Sequence, residues 1–265
     1  FYFYLKTNNQ KYLTPVEKLL SNISSKGVYD QLAGGIARYA VDEKWVIPHF
    51  EKMLYDNIQY IGLLTKFYQK TKKEYFKKKL IQTINFINIE FKNKENLYGS
   101  AYDADSEGIE GKYYVWSYEE LKKLLENDFA LFEKKYEISN TGNFEGKNIL
   151  VESKNELNEE EQNKIINIED KLAQEREKRI KPFFDDKSQT DLNAFILDTL
   201  ISSSIVLEDN NLKDEAIRTL EILNNKLANK IYHCYDSSEI DAFLEDYVYY
   251  AMLLVTLYEV NGDES

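Results

Sequence analysis

Apolar residues recur at helical spacing along most of this chain, and the pattern predicts a mainly helical protein built from antiparallel pairs. Only three prolines and ten glycines interrupt it. Thr14 and Pro15 read as the cap and first position of an amphipathic helix carrying Val16, Leu19, Leu20 and Ile23 toward Gly27. Gly34 and Gly35 then permit a sharp loop. Pro48 predicts the start of a second long helix, ending near Thr71, in which Phe50, Met53, Leu54, Ile58, Ile61, Leu64 and the ring of Tyr68 form an apolar stripe. A third helix, from about Glu74 to Phe91, turns Leu80, Ile84 and Ile87 inward and completes a helical hairpin.

Residues 96 to 116, NLYGSAYDADSEGIEGKYYVW, lose the helical period, and their Tyr-Tyr-Val-Trp run reads as a short strand within an inserted loop or β-hairpin. Ser117 and Glu120 make a capping box for a short helix through Leu125, and another follows near Phe129 to Tyr136. After the interruption TGNFEGKNIL, residues 156 to 181 are so charged that they predict a solvated helix ending at Pro182. An apolar helix follows DDKSQTD, then a partner from about Leu212 to Asn229 and a last helix from about Leu244 to Val260.

Composition narrows the class. With 265 residues, 43% hydrophobic, the chain can bury a sizeable core, and a single helical domain is expected. A net charge of -12 repels phosphate backbones, so nucleic acid is not an expected partner. No run approaches the roughly 18 apolar residues of a membrane span, so no membrane partner is expected either. The lone Cys234 rules out an internal disulfide and a Cys-x-x-Cys site, in keeping with a reducing, cytoplasmic location. The chain starts at Phe1 rather than Met and reads as a fragment's edge. Its 21 tyrosines and 14 phenylalanines suit a sugar-stacking cavity, but AT-rich coding favours the same residues.

Chemically able side chains concentrate between residues 27 and 57. A helix begun at Pro48 would place His49, Glu51 and Lys52 in its first turn, where open N–H groups and the positive helix end favour carboxylates. Glu51 with Tyr55, and His49 with Lys52 and Asp56, would then flank the apolar stripe. The ordinary alternative is a cap with surface ion pairs such as Lys52 with Asp56. Arg38 can clamp a carboxylate or hydroxyl and Trp45 can stack on a sugar, or the two can simply anchor a loop.

In DADSEG, Asp103, Asp105 and Glu107 fit half a calcium loop, but Tyr114 stands where the bidentate Glu is needed. No metal or cofactor is therefore expected. Asp103 and Asp105 are instead candidates for an acid, a base or hydroxyl acceptors, against the alternative of a self-capped turn. GNFEGKN is not a phosphate loop: it is one residue short and has Asn148 in place of Ser/Thr. Asp186 and Lys187, with Asn193, precede or open one helix and Asp246 opens another, with capping the ordinary explanation for Asp246. Trp116 joins the aromatic candidates. His233, near a helix end, reads as structural.

The strings GVYDQLAGGIARYAVDEKWVIPHFEKMLYDN, DADSEGIEGKYYVW, GNFEGKNIL, RIKPFFDDK and FLEDY, in this order, resemble the thioredoxin-domain-containing proteins related to spermatogenesis-associated protein 20. The resemblance covers nearly the whole chain. It implies an all-α fold, the α/α toroid of the six-hairpin glycosidase kind similar to sugar 2-epimerases, here without the thioredoxin-like domain and with further toroid helices missing. An incomplete ring would expose apolar helix faces and associate with a missing segment or with the thioredoxin-like domain. The family often has His where this chain has Ala37, and Trp and Gly where it has Leu192 and Ala194.

In such a toroid an inner helix would present His49, Glu51 and Asp56, and a carboxylate-rich loop over the mouth Asp103 and Asp105, as catalytic candidates. Arg38, Trp45, Lys52, Tyr55, Trp116, Asp186, Lys187, Asn193 and Asp246 would contact a small, carbohydrate-like substrate. An epimerase needs a base and an acid on opposite faces. A glycosidase needs two carboxylates, for which Glu51 or Asp56 would pair with Asp103, Asp105 or Asp186. A non-catalytic binding module is the third expectation, and fold alone does not choose among them.

Overall fold

Secondary structure in the computed structural model, which describes residues 1–228, 230–234 and 240–262, follows the apolar periodicity closely. In chain order the elements are α1 (Tyr2–Thr7), α2 (Gln10–Ser25), β1 (Lys52–Met53), α3 (Leu54–Thr71), α4 (Glu74–Glu90), β2 (Ala101–Tyr102), β3 (Asp105–Ser106) and β4 (Ile109–Glu110). They continue with α5 (Tyr118–Leu125), α6 (Phe129–Lys135), α7 (Glu159–Arg176), β5 (Phe184–Asp185), α8 (Thr190–Leu207), α9 (Asn210–Leu227), β6 (Tyr232–Cys234), β7 (Ile240–Asp241) and α10 (Leu244–Asn261). The chain divides into two compact units: 1–51 with 104–182, and 52–103 with 183–265.

The first unit contains α1, α2, the β3–β4 hairpin and α5 to α7. Its main core gathers Leu32, Trp116, Leu121, Leu125, Phe129, Phe132, Tyr136, Leu150, Ile165, Ile168 and Leu172. Residues 159 to 176 are thus not merely solvated: Ile165, Ile168 and Leu172 fall on one helical face and are buried. The capping box at Ser117 and Glu120 is made as expected, with the Glu120 N–H donating to Ser117 Oγ at 3.1 Å. The first long helix starts at Gln10, capped by Asn9, and Pro15 lies inside it. Glu107 and Gly108 both take positive φ, 54° and 72°, in the two-residue turn between β3 and β4. The YYVW run is no strand; its residues form turns, and Trp116 makes a single bridge to Asn148.

The largest departure lies at Pro48. The helix starts six residues later, at Leu54, and residues 46–53 are not helical: Pro48 bridges Ala40 and Lys52–Met53 form β1. Proline biases the preceding Ile47 away from helical backbone, and tertiary bonds then claim the next residues. The His49 N–H donates to the Tyr39 carbonyl at 3.0 Å and the Arg38 N–H to the Glu51 carbonyl at 2.9 Å. Phe50 adopts φ 63° and is buried against Ala104, Val115 and Ile149. Its ring occupies the space a side chain on Gly111 would need, 2.5 Å from the position of a Cβ there. His49, Glu51 and Lys52 are therefore not in a helical first turn, and their predicted spacing against Tyr55 and Asp56 does not apply.

In the second unit, β1, β2 and β5 form a small antiparallel sheet, Lys52 opposite Tyr102 and Ala101 opposite Asp185. α3 and α4 make the expected hairpin, burying Leu54, Ile58, Ile61 and Leu64 on one and Leu80, Ile84 and Ile87 on the other. α8 packs against α3, α9 and α10. It is long and apolar enough to cross a membrane by length and composition, but Ala194, Ile196, Leu197, Leu200 and Ile201 are buried as in a core helix. α9 ends at Leu227; the predicted end at Asn229 lies outside the described residues. On α10, Leu244, Tyr247, Val255 and Tyr258 are more than half exposed.

Candidate functional site

The predicted residues fall in both units. In the first, β-type pairing of residues 38–41 with 47–51 aligns Arg38, Tyr39, His49 and Glu51, and β4 adds Glu110. The His49 ring stacks on Tyr39, centroids 4.8 Å apart and 12° from parallel. Its Nδ1 lies 3.2 Å from Glu110 Oε1, and Arg38 donates from Nη1 to Glu51 Oε2 at 3.1 Å. All four charged or polar side chains keep between 26% and 47% of their surface in solvent. Asp105 is exposed and stands directly opposite Glu110 in the hairpin, so the two side chains share a face. Sequence spacing could not reveal Glu110 or Tyr39, because both reach His49 through non-local pairing.

Two aromatic candidates fare differently. Trp45 is half-buried in a turn with φ 62°. Trp116 is 1% exposed, and the Arg179 guanidinium lies 3.9 Å over its ring. Arg179 is fixed there by the carbonyls of Tyr113 and Val115 and by Glu120, each at 2.8 Å. Trp116 is therefore a core residue with its flat face already covered, not a stacking platform.

In the second unit Lys52 is buried, its ammonium 4.2 Å from the centroid of the Phe86 ring. Tyr55 and Asp56 lie half-buried in the first turn of α3. Asp103 is exposed, its N–H donating to the Phe183 carbonyl. Asp186 and Lys187 are exposed, with Lys187 paired to Asp185 at 3.1 Å. Asn193 is fully buried and bonds both backbone groups of Tyr98, accepting at 2.8 Å and donating at 2.9 Å, and also donates to the Gln189 carbonyl. That commitment makes Asn193 a framework residue.

Asp246 does cap α10, accepting from the Phe243 N–H at 2.8 Å, but it does more. Fully buried, it also accepts from the Asp191 N–H at 3.0 Å and holds His233 Nδ1, 3.1 Å from each carboxylate oxygen. Burial, reinforced by the charge of Asp246, raises the Asp191 carboxyl above the usual carboxylate range. The His233 cluster escaped the sequence reading because its members are 13 to 55 positions apart.

No family model matches the sequence. The fold is that of the α/α toroids: the structure is similar to a family 76 glycoside hydrolase from a bovine Bacteroides thetaiotaomicron strain, at TM-score 0.55 and 11% identity over 99% of this chain and 41% of that one. It is also similar to cellobiose 2-epimerase from Spirochaeta thermophila, at TM-score 0.52 and 9% identity over 97% of this chain and 52% of that one. Within that class, the sequence is similar to human spermatogenesis-associated protein 20, 24% identical over 93% of this chain, and to an uncharacterised Caenorhabditis elegans protein, 25% identical over 94%. These matches support a toroid portion like that of the spermatogenesis-associated protein 20 relatives. The chain spans about two-fifths of the length of these curated relatives, 38% and 40%.

Proposed function

We propose that this chain is a carbohydrate-handling toroid portion, and that a sugar-like substrate meets the surface formed by Arg38, Tyr39, His49, Glu51, Asp105 and Glu110. The observation that carries the reading is the partly exposed His49, stacked on Tyr39 and held through Nδ1 by Glu110. A carboxylate on one ring nitrogen fixes the tautomer and leaves the other nitrogen to move a proton, chemistry that imidazole performs well near neutral pH. Arg38 and Asp105 offer a donor and an acceptor to hydroxyl groups. The similar folds of a glycoside hydrolase and a 2-epimerase add support. Of the two, proton transfer of the epimerase or isomerase type suits the His49 and Glu110 pair better, since Glu110 already serves the imidazole.

Association with a thioredoxin-like domain or a further toroid segment is also proposed, supported by the apolar residues exposed along α10. A non-catalytic binding module is the second reading, favoured by the Arg38 and Glu51 pair, which occupies one candidate acid.

The test combines a thermal-shift screen of mono- and disaccharides with NMR detection of sugar C–H exchange in D2O. A stabilising sugar that also exchanges a proton, with exchange lost in His49→Ala and Glu110→Gln variants that remain folded, is the expected result. Stabilisation without exchange would favour the binding module. A screen in which no sugar binds would overturn both readings.

A further inference from the structure

We propose that Asp191, His233 and Asp246 form a binding site for one divalent transition-metal ion of the zinc or manganese type. This inference stands apart from the sugar reading. The start of α8, strand β6 and the first turn of α10 bring one ligand atom from each residue within 4.8 Å of the others. His233 Nδ1 lies 3.1 Å from Asp246 Oδ2 and 4.0 Å from Asp191 Oδ1. Ligand atoms bound about 2.1 Å from a shared ion stand roughly 3.0–3.4 Å apart. His233 and Asp246 already have that spacing, and a small rotation of the Asp191 side chain completes it.

Charge gives an argument that distance alone does not. The Asp246 side chain is 0% exposed, Asp191 17% and His233 15%. Among the described residues, neither carboxylate has a lysine or arginine within ion-pair distance; His233 is their shared ionic neighbour. Two ionised carboxylates with one imidazole leave net negative charge whether or not the ring is protonated, and unbalanced buried charge is costly. A dication cancels both carboxylates without adding bulk.

The groups behind the ligands are those a metal site needs. Asp246 is held by the N–H groups of Asp191 and Phe243, and Asp191 Oδ1 by that of Leu192 at 2.7 Å. His233 Nε2 meets the Gln189 side-chain amide at 2.9 Å. As assigned, that amide donates to the ring; turned over, its oxygen accepts from Nε2–H, the state required when Nδ1 gives its lone pair to a metal. Phe243 packs edge-on against the imidazole at 4.9 Å and limits its rotation. One imidazole with two carboxylates suits zinc, manganese or ferrous iron, whereas calcium and magnesium prefer oxygen alone.

The full chain, stripped with a chelator, is titrated by calorimetry with Zn²⁺ and Mn²⁺, and with Mg²⁺ and Ca²⁺ for comparison. One equivalent of Zn²⁺ or Mn²⁺ with a raised Tm is expected, with tighter binding than either comparison ion. Asp191→Asn and His233→Gln should lose the saturable site, and Gln189→Ala should weaken it about 10- to 100-fold. Asp191→Asn keeps the acceptor for the Leu192 N–H, so circular dichroism of that variant separates lost binding from lost folding. Cobalt bound by the wild type should show visible ligand-field bands without a thiolate charge-transfer band. Failure of the wild type to take up one equivalent, unchanged uptake in folded Asp191→Asn, or a thiolate band would each overturn the proposal.

Discussion

Replacing Asp30 by Asn isolates one buried charge and tests how far the first unit depends on it. Arg176 Nη1 donates to Asp30 Oδ1 at 2.9 Å, and the two side chains are 3% and 5% exposed. Asp30 Oδ1 also accepts from the Leu32 and Ala33 N–H groups, so it fixes the turn after Gly27 as well as the end of α7. Asparagine keeps the shape and an acceptor oxygen but leaves the guanidinium, which cannot shed its proton, without its counter-charge. Breaking a buried pair in this way costs about 3–5 kcal/mol, in line with about 4 kcal/mol for unit charges 4 Å apart at an effective dielectric of 20. The faces of Tyr113 and Tyr114, 5.1 and 5.6 Å from the guanidinium, recover part of it and place the expectation near the lower end. With a urea slope of about 2–3 kcal/mol per molar, the midpoint should fall by about 1–2 M. Tryptophan fluorescence is the assay, because Trp45 and Trp116, both in the first unit, are the chain's two tryptophans. Asp30→Asn with Arg176→Met should lose less than the sum of the single changes. A midpoint shift below about 0.3 M for Asp30→Asn would refute the reasoning, because at that slope it is under about 1 kcal/mol.

Asn193→Ala should destabilise the second unit by about 2 kcal/mol or more, because both buried backbone groups of Tyr98 lose their partner; far-UV circular dichroism during urea unfolding measures it. Gly27→Ala should reduce the folded fraction sharply, since a Cβ there would lie 1.8 Å from the Val46 carbonyl oxygen, a contact only backbone movement relieves; solubility and Tm read the loss. Glu177 gives a pH test. Burial pushes its carboxyl up, but hydrogen bonds from Lys181 and Tyr113 outweigh burial and leave it below the ordinary 4.5. Its contribution is therefore present above about pH 4.5 and fades as pH falls toward the lowered value. Glu177→Gln should accordingly lower Tm at pH 7, with the deficit shrinking below pH 4.5; a constant deficit across that range would count against it.

Local code and tertiary packing divided the work unevenly. Helices α3, α4, α8, α9 and α10, the capping box at Ser117 and the β3–β4 turn are legible in the sequence, because periodic burial, caps and turn residues act over a few neighbouring positions. The onset of α3 is not. There, Phe50 seated against Gly111 and the pairing of His49 and Glu51 with residues 38 and 39 outweigh the helix signal of Pro48.

The same division holds for the candidate sites. His49, Glu51, Arg38 and Asp105 can be named from residue type and neighbourhood, but their partners Tyr39 and Glu110 follow from strand pairing. Trp116 and Asn193 look chemically able in isolation, yet Arg179 and the Tyr98 backbone already occupy them. The Asp191, His233 and Asp246 cluster unites two helix starts and a strand, and no spacing rule links positions so far apart. Sequence alone determined the helical class and the candidate chemistry, since both depend on side-chain type and short-range period. Tertiary structure decided which candidates stay open to a ligand, because burial and partner choice are set by contacts between distant segments.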